Sequence, residues 1–254
     1  MKSGAKPRTS LRASELFERV DYRAIETREE KDQLYLMRYR AYRHSGLIPP
    51  SEAERYSDRY DDAPNALTFG IYVDGELCSS LRLHVLTSEQ RMSYTTELFA
   101  DILHPRLDKG EVFIDPARFV ADPEKAQRFP ELPYLTLRLA YLACEYFNAD
   151  TGLALVRAGH QAFYRRVFLH ETIAEPRPFP NALAKVALMA SDFRMLREQV
   201  LARFPILRSS AFERRMLFQR DRNSVKPAVV STFLSASIVP NSREENGPEW
   251  RRLE

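Results

Sequence analysis

The chain has 254 residues, 44% of them hydrophobic and 29% charged, with a formal net charge of +3. That length buries a full core in one domain of ordinary size, and so small a net charge gives no ground for a nucleic-acid binder. No apolar run approaches the roughly 20 residues that cross a bilayer, and the basic opening MKSGAKPRTSLRAS has no apolar stretch behind it to make a secretory signal, so a cytoplasmic protein is expected.

Residues 1–22 read as a mobile polar lead-in. KDQLYLMRYRAYRHSG then places Leu34, Met37 and Ala41 at helical spacing and ends in glycine, as a first helix with a C-terminal cap does. A polar loop, IPPSEAERYSDRYDDAPN, follows. LTFGIYV and ELCSSLRLHVL flank the dipeptide Asp74-Gly75, a favoured hairpin turn, which predicts an antiparallel strand pair. After an insert from Thr87 to Lys109 comes EVFIDPARFV. Val112, Phe113, Ile114, Phe119 and Val120 suit a buried strand, but Asp115, Pro116 and Arg118 interrupt it. Residues three apart on a regular strand face opposite sides, so Asp115 and Arg118 meet only if a bulge near Pro116 disturbs the ladder.

PYLTLRLAYLACEYFNAD predicts a helix, LALVRA a strand, HQAFYRRVF a short helix and KVALMASDF a final strand. The order describes a mixed α/β sheet with helices on both faces, over residues 23–192. A helical C-terminal extension over 193–239 follows. FRMLREQVLARF must stop before Pro205, SSAFERRMLFQR opens with a capping box at Ser210 and Glu213, and AVVSTFLSASIV fits either a strand or a surface-bound helix. Eight arginines and three acids between Arg194 and Arg222 make a local basic face, and 240–254 reads as a solvated tail. Cys78 and Cys144 have no metal-ligand spacing and are expected to be buried thiols. His44, His84, His104, His160 and His170 form no short ligand pattern either, so no metal site is expected.

Charged residues stand beside apolar ones at four places: Arg38 one turn from Tyr42, Asp58 near Asp61, Arg82 between Leu81 and Leu83, and Asp115 near Arg118. Buried charge needs a partner or a ligand. In this order, Arg-x-x-x-aromatic, Asp-x-x-Asp, Arg-Leu and acid-x-x-Arg-Phe, the sequence resembles the N-acyl amino acid synthases and, beside them, the acyl-homoserine-lactone synthases. Both are branches of the GNAT acyltransferase fold. HQAFYRR, from His160 to Arg166, resembles the FY helix of GNAT enzymes, so the resemblance covers roughly residues 34–192. Three departures stand out. Asp115 occupies a position that is usually glutamate in lactone synthases, and FYRRVFLH replaces the usual FY…GF ending. The only tryptophan, Trp250, lies in the tail rather than after the first helix, which favours the amino-acid branch.

The resemblance implies a GNAT-like, mainly antiparallel twisted sheet and transfer of a fatty acyl group to the amine of an amino acid or similar small amine. The attacking amine must lose a proton, for which Asp115 is the expected base, with Asp61 or a water chain as alternatives. A bulge would free the N–H of Phe119 or Val120 for the thioester oxygen. Tyr164 either returns a proton to the thiolate, by resemblance, or is a core tyrosine. Asp115 with Arg118 is either a site pair or an ion pair shaping the bulge. Arg38 and Arg82 bind the acceptor carboxylate or tie down the loop of Asp58 and Asp61, with Tyr42, Arg118 and Phe119 beside them. The apolar residues of LTLRLAYLACEYF wall an acyl tunnel or, for most of them, pack the core.

GNAT enzymes hold coenzyme A on a glycine-rich turn and a helix N-terminus. Here the corresponding ADPEKAQRFPELPYL has three prolines and no glycine. The expected donor is therefore the phosphopantetheine thioester of acyl-carrier protein rather than acyl-CoA, with no permanently bound cofactor. Arg157, Arg165 and Arg166 are candidate docking contacts for that acidic partner, and the basic extension leaves weak membrane-surface association open. A lactone synthase, or a non-catalytic GNAT-like module that binds an acyl chain or a partner, are the competing readings.

Overall fold

The computed structural model describes residues 15–179 and 185–219. At the Asp74-Gly75 turn both residues take positive φ, 51° and 83°, which matches the twist that a tight hairpin needs. It joins β2 (Ala66–Val73) to β3 (Glu76–Leu86) in antiparallel register. β1 (Val20–Ala24) pairs with the outer side of β2, so the polar lead-in expected through residue 22 gives way to sheet earlier. Leu16 is buried and the Tyr22 hydroxyl donates to the Leu135 carbonyl at 2.8 Å, contacts that fix this segment.

The first helix, α1 (Arg28–His44), opens with Thr27 and Glu30 in a reciprocal capping box. Two short helices, α2 (Tyr94–Leu98) and α3 (Ala100–Leu107), fill the insert. Next come β4 (Phe113–Ala121), α4 (Pro123–Arg128), α5 (Leu132–Tyr146), β5 (Thr151–Arg157) and α6 (Gln161–Phe168). The two-residue strands β6 (Glu171–Thr172) and β7 (Arg177–Pro178) both pair with β8 (Lys185–Asp192). The sheet order is β1-β2-β3-β4-β5-β8-β6, antiparallel except between β4 and β5.

Alternation along β3 divides the core. Leu81, Leu83 and Val85 pack with α5, whose Leu132, Leu135, Leu139 and Leu142 recur at helical spacing and are fully buried. Each such leucine stabilises the fold by about 1.5–3 kcal/mol. Ser80, Arg82, His84 and Leu86 take the other face, where Leu86 joins Phe99, Leu103 and Leu107 of the insert, and Val120 joins Leu34, Met37 and Ala41 of α1.

The C-terminal helices, α7 (Phe193–Arg203) and α8 (Ala211–Phe218), belong to this core through Phe193, Val200, Leu201, Leu207 and Phe218. Arg138 of α5, 1% exposed, holds them. It donates to the carbonyls of Ile206 and Arg208, both at 2.7 Å, and to the Glu213 carboxylate at 2.6 Å. The capping box expected at Ser210 is therefore half made: Ser210 Oγ accepts from the Glu213 N–H, while the Glu213 side chain goes to Arg138. The expected basic face is also partly neutralised, since Arg194 pairs with Asp150 and both Arg197 and Arg214 pair with Glu145. AVVSTFLSASIV and the tail lie outside the described residues. Among the described residues no helix is long and apolar enough to cross a membrane, and no group of three or more acids, histidines or cysteines is placed to hold a metal.

Candidate active site

The parallel partnership of β4 and β5 lasts two residues, Phe113 opposite Thr151 and Ile114 opposite Gly152. Pro116, with no N–H to give, stands just beyond. From there the strands splay, and beyond Ile114 the β4 amides that face β5 have no ladder partner among the described residues. On its other side β4 stays in register with β3 through Pro116 and Ala117, opposite Leu83 and Arg82, and slips only between Ala117 and Val120. The bulge expected at Pro116 thus lies at Arg118 and Phe119, two residues facing Leu81 alone. Arg118 takes the left-handed conformation, φ 52°, that this requires.

The slip decides which way each side chain leaves. Arg118 turns to the α1 face and Phe119 to the α5 core, while Val120 packs against α1. Arg118 Nε donates to Asp58 at 2.6 Å, and its guanidinium stacks on Tyr56 and Tyr94. Arg82 reaches Asp58 and Asp61 at 2.7 and 2.8 Å, and Arg38 reaches Asp61 at 2.7 Å. Asp61 also accepts from the Asp58 N–H, and Asp58 from the Tyr60 N–H, which ties the loop to the cluster. Three guanidiniums thus meet two carboxylates, an excess of one positive charge. Nε and Nη2 of Arg38 and Nε of Arg82 are buried without a hydrogen-bond partner among the described residues. Burial pushes the Asp58 carboxyl up, but Arg82 and Arg118 outweigh it and hold the group well below the usual range. Burial likewise opposes charge on Arg118, while Tyr42, Asp58 and Tyr56 raise its pKa more.

Asp115 lies on the same face, 1% exposed, but not against Arg118. Its Oδ1 accepts from Thr95 Oγ1 of α2 at 2.9 Å, and Oδ2 is buried without a hydrogen-bond partner among the described residues. The expected pairing of Asp115 with Arg118 is corrected on this point: the bulge gives them a common side, and Asp58 takes the arginine. Burial pushes the Asp115 carboxyl up to about 6 against the nearby hydroxyls of Ser93 and Thr95 and the charge of Arg82. Across the ladder His84 is buried with neither ring nitrogen hydrogen-bonded among the described residues, and burial beside Arg82 lowers its pKa to about 3, so it is neutral.

The opposite face of the splay is apolar. Ile114 and Pro116, the neighbours of Asp115, line a partly open pocket with Leu137, Tyr141, Tyr164 and Phe168, about 390 Å³ when its solvent-open mouth is included. Neither Asp115 nor Arg118 borders it. Tyr164 projects from α6, and burial raises its phenol above the ordinary range. Leu137, Ala140, Tyr141 and Cys144 repeat at helical spacing along α5, so part of LTLRLAYLACEYF walls the pocket. Arg157 ends β5. Arg165 and Arg166 are exposed and diverge, one to Gln161 and Thr172, the other to the Tyr134 hydroxyl near the start of α5. Thr95, His84 and the stacking pair Tyr56 and Tyr94 escaped the sequence reading. Their polar or aromatic character carries no signal until the insert folds back on β4.

A sequence model of the FeeM N-acyl amino acid synthases matches residues 33–192. The chain belongs to this family. It is accordingly an acyltransferase acting on an amine. The solved structure of FeeM, an N-acyl amino acid synthase from uncultured soil microbes, superposes with a TM-score of 0.59 at 17% identity, over 73% of this chain and 98% of that one. A CoA-dependent acyl-homoserine lactone synthase, BjaI, with MTA, gives 0.53 at 14% identity over 73% and 89% of the two chains. TofI, in a ternary complex with an inhibitor and MTA, gives 0.52 at 17% over 75% and 100%. No curated protein matches the chain.

Proposed function

We propose that the protein moves a fatty acyl group from acyl-carrier protein to the amine of an amino acid, forming an N-acyl amino acid. One observation carries this reading. The splayed, bulged strand β4 has an uncharged pocket on one face and a positively biased, buried charge cluster on the other. A fatty chain suits the first and an amino-acid carboxylate the second, and the strand between them is where the two substrates meet.

In this reading the acceptor's carboxylate answers the surplus charge of Arg38, Arg82 and Arg118, with Tyr42 at the rim. Asp115 takes the proton from the ammonium ion: its raised pKa makes it a stronger base than an exposed aspartate, yet it is mostly ionised at pH 7. The free amine attacks the thioester carbon while a β4 amide at Phe119 or Val120 holds the oxygen. The C–N bond forms, the C–S bond breaks, and the thiolate takes a proton from Tyr164 or from solvent. Asp61 is the poorer base because both of its oxygens already accept hydrogen bonds.

The carrier protein is favoured over coenzyme A by the segment after β4. It has no glycine, and α5 starts on Glu131, a buried acid at the helix N-terminus where a pyrophosphate would be attracted. Arg157, Arg165 and Arg166 supply positive charge for an acidic carrier, Arg166 beside Tyr134 near that end. The product, an acyl amide, partitions into lipid, so weak association with a membrane surface belongs to the same reading. The test mixes the full chain with acyl-carrier protein or acyl-CoA donors and a pool of amino acids, with homoserine lactone formation followed in parallel by mass spectrometry. Acyl amides from the carrier donor are expected. Product from acyl-CoA alone would overturn the donor assignment, and lactone the acceptor assignment.

A further inference from the structure

The apolar pocket has a polar floor. His170 lines it, is 7% exposed, and neither ring nitrogen finds a hydrogen-bond partner among the described residues. Burial lowers its pKa to about 4. The carbonyls of Phe168, Leu153 and Gly152 oppose that shift from beside the ring without reaching hydrogen-bond geometry. The imidazole is therefore neutral at pH 7, with one N–H to donate and one bare nitrogen to accept. Two more heteroatoms converge on the same spot. A Cβ placed on Gly152 would lie 3.6 Å from Ser191 Oγ, 3.7 Å from Cys144 Sγ and 3.8 Å from His170 Nε2. The bare glycine leaves open a small space bounded by all three. None of the lining side chains is an acid, lysine or arginine, so nothing charged competes for His170.

A plain hydrocarbon chain that reached this floor would cover an imidazole whose polar atoms are unmet, an unfavourable contact. A hydroxyl or carbonyl oxygen would meet them. We propose that His170, with Ser191, recognises an oxygen carried by the acyl chain, so that the preferred donor bears a hydroxyl or oxo group toward the far end of a medium-length chain. This rests on the acyl-transfer reading above, which puts the thioester at the bulge. Gly152 pairs with Ile114, four residues before Arg118. At about 3.3 Å per strand residue the floor is about 13 Å from the bulge, the span of roughly ten carbons in a zigzag of 1.5 Å bonds.

Two measurements on the full chain test it. The first is calorimetric binding of dodecanoic acid against 10-hydroxydodecanoic acid. The second is competition between the corresponding acyl-carrier-protein thioesters, with the acyl amides counted by mass spectrometry. The hydroxylated chain is expected to win by about tenfold in both. His170→Phe should abolish or reverse the preference, and Ser191→Ala should reduce it about threefold. Thermal unfolding checks that each variant is folded, and His170→Asn replaces His170→Phe if the latter is not. Equal binding of the two acids by the unaltered protein, or a preference that survives in every folded His170 variant, overturns the proposal. Selective binding without any acyl amide leaves the polar floor standing and removes the acyl-transfer reading instead.

Discussion

On the α1 face of β4, five charged side chains from four separate segments are locked together, each arginine against an aspartate. One residue away on the α5 face, Ile114 and Pro116 border a pocket without a single formal charge. The first region is held by directional interactions that fail if one member is removed, because a lone buried charge is costly. The second is held by shape, which tolerates exchange of one apolar group for another of similar volume. Recognition of a small, charged acceptor and of a long, flexible chain place these different demands on the two sides of one strand.

The largest expected effect falls between the regions. Asp115→Asn should lower turnover by about 10²–10⁴-fold, the range for a lost general base, while the protein stays folded. Loss of less than tenfold in an acyl-amide assay would shift the base to water or Asp61. On the charged side, Asp61→Asn should destabilise the fold by about 3–5 kcal/mol in denaturant unfolding, because Arg38 loses the carboxylate it pairs with and Arg82 is left with Asp58 alone. An unchanged midpoint would mean that the cluster does not behave as a unit.

A pH series sharpens the contrast further. The Asp115 carboxyl titrates near 6 in the folded chain against about 3.9 when unfolded. Between those values the native state holds the extra proton. Its contribution to stability is therefore greatest below about pH 4 and falls by about 2–3 kcal/mol as pH rises to about 6. Comparing Asp115→Asn with the unaltered chain isolates this slope, which the variant should lack. Asp58, held low by Arg82 and Arg118, works in the opposite sense and loses stability only in strong acid. The smallest effect belongs to the pocket side: Tyr164→Phe should slow turnover about tenfold or less, since a thiol of pKa near 8.5 leaves without much help. A far larger loss, with substrate binding unchanged, would give Tyr164 a role beyond proton return.

The hairpin, the long helices and the alternation of strand with helix were legible because each is a local pattern a few residues wide. β1 was not. Val20–Ala24 alternates half-buried and exposed residues beside a basic, polar opening, and its partner β2 begins more than forty residues later. Asp115, Pro116 and Arg118 announced an irregular strand, yet the slip was two residues off, because its place depends on where β3 stops matching β4. Arg118 went to Asp58, sixty residues back in the chain, rather than to the nearer Asp115. His170 carried no signal at all, since a single histidine after a short helix reads the same whether it faces solvent or closes a pocket.

Residue order alone determined the family of the chain, the succession of its main elements and the set of charges that must be buried, because periodicity and spacing are written in neighbouring positions. Tertiary structure decided which charges meet, on which face of β4 each side chain leaves, and that α5, α6, β5 and β8 close a pocket over His170. Those outcomes depend on strand register and on contacts between distant segments, where a shift of one residue turns a side chain to the other side of the sheet.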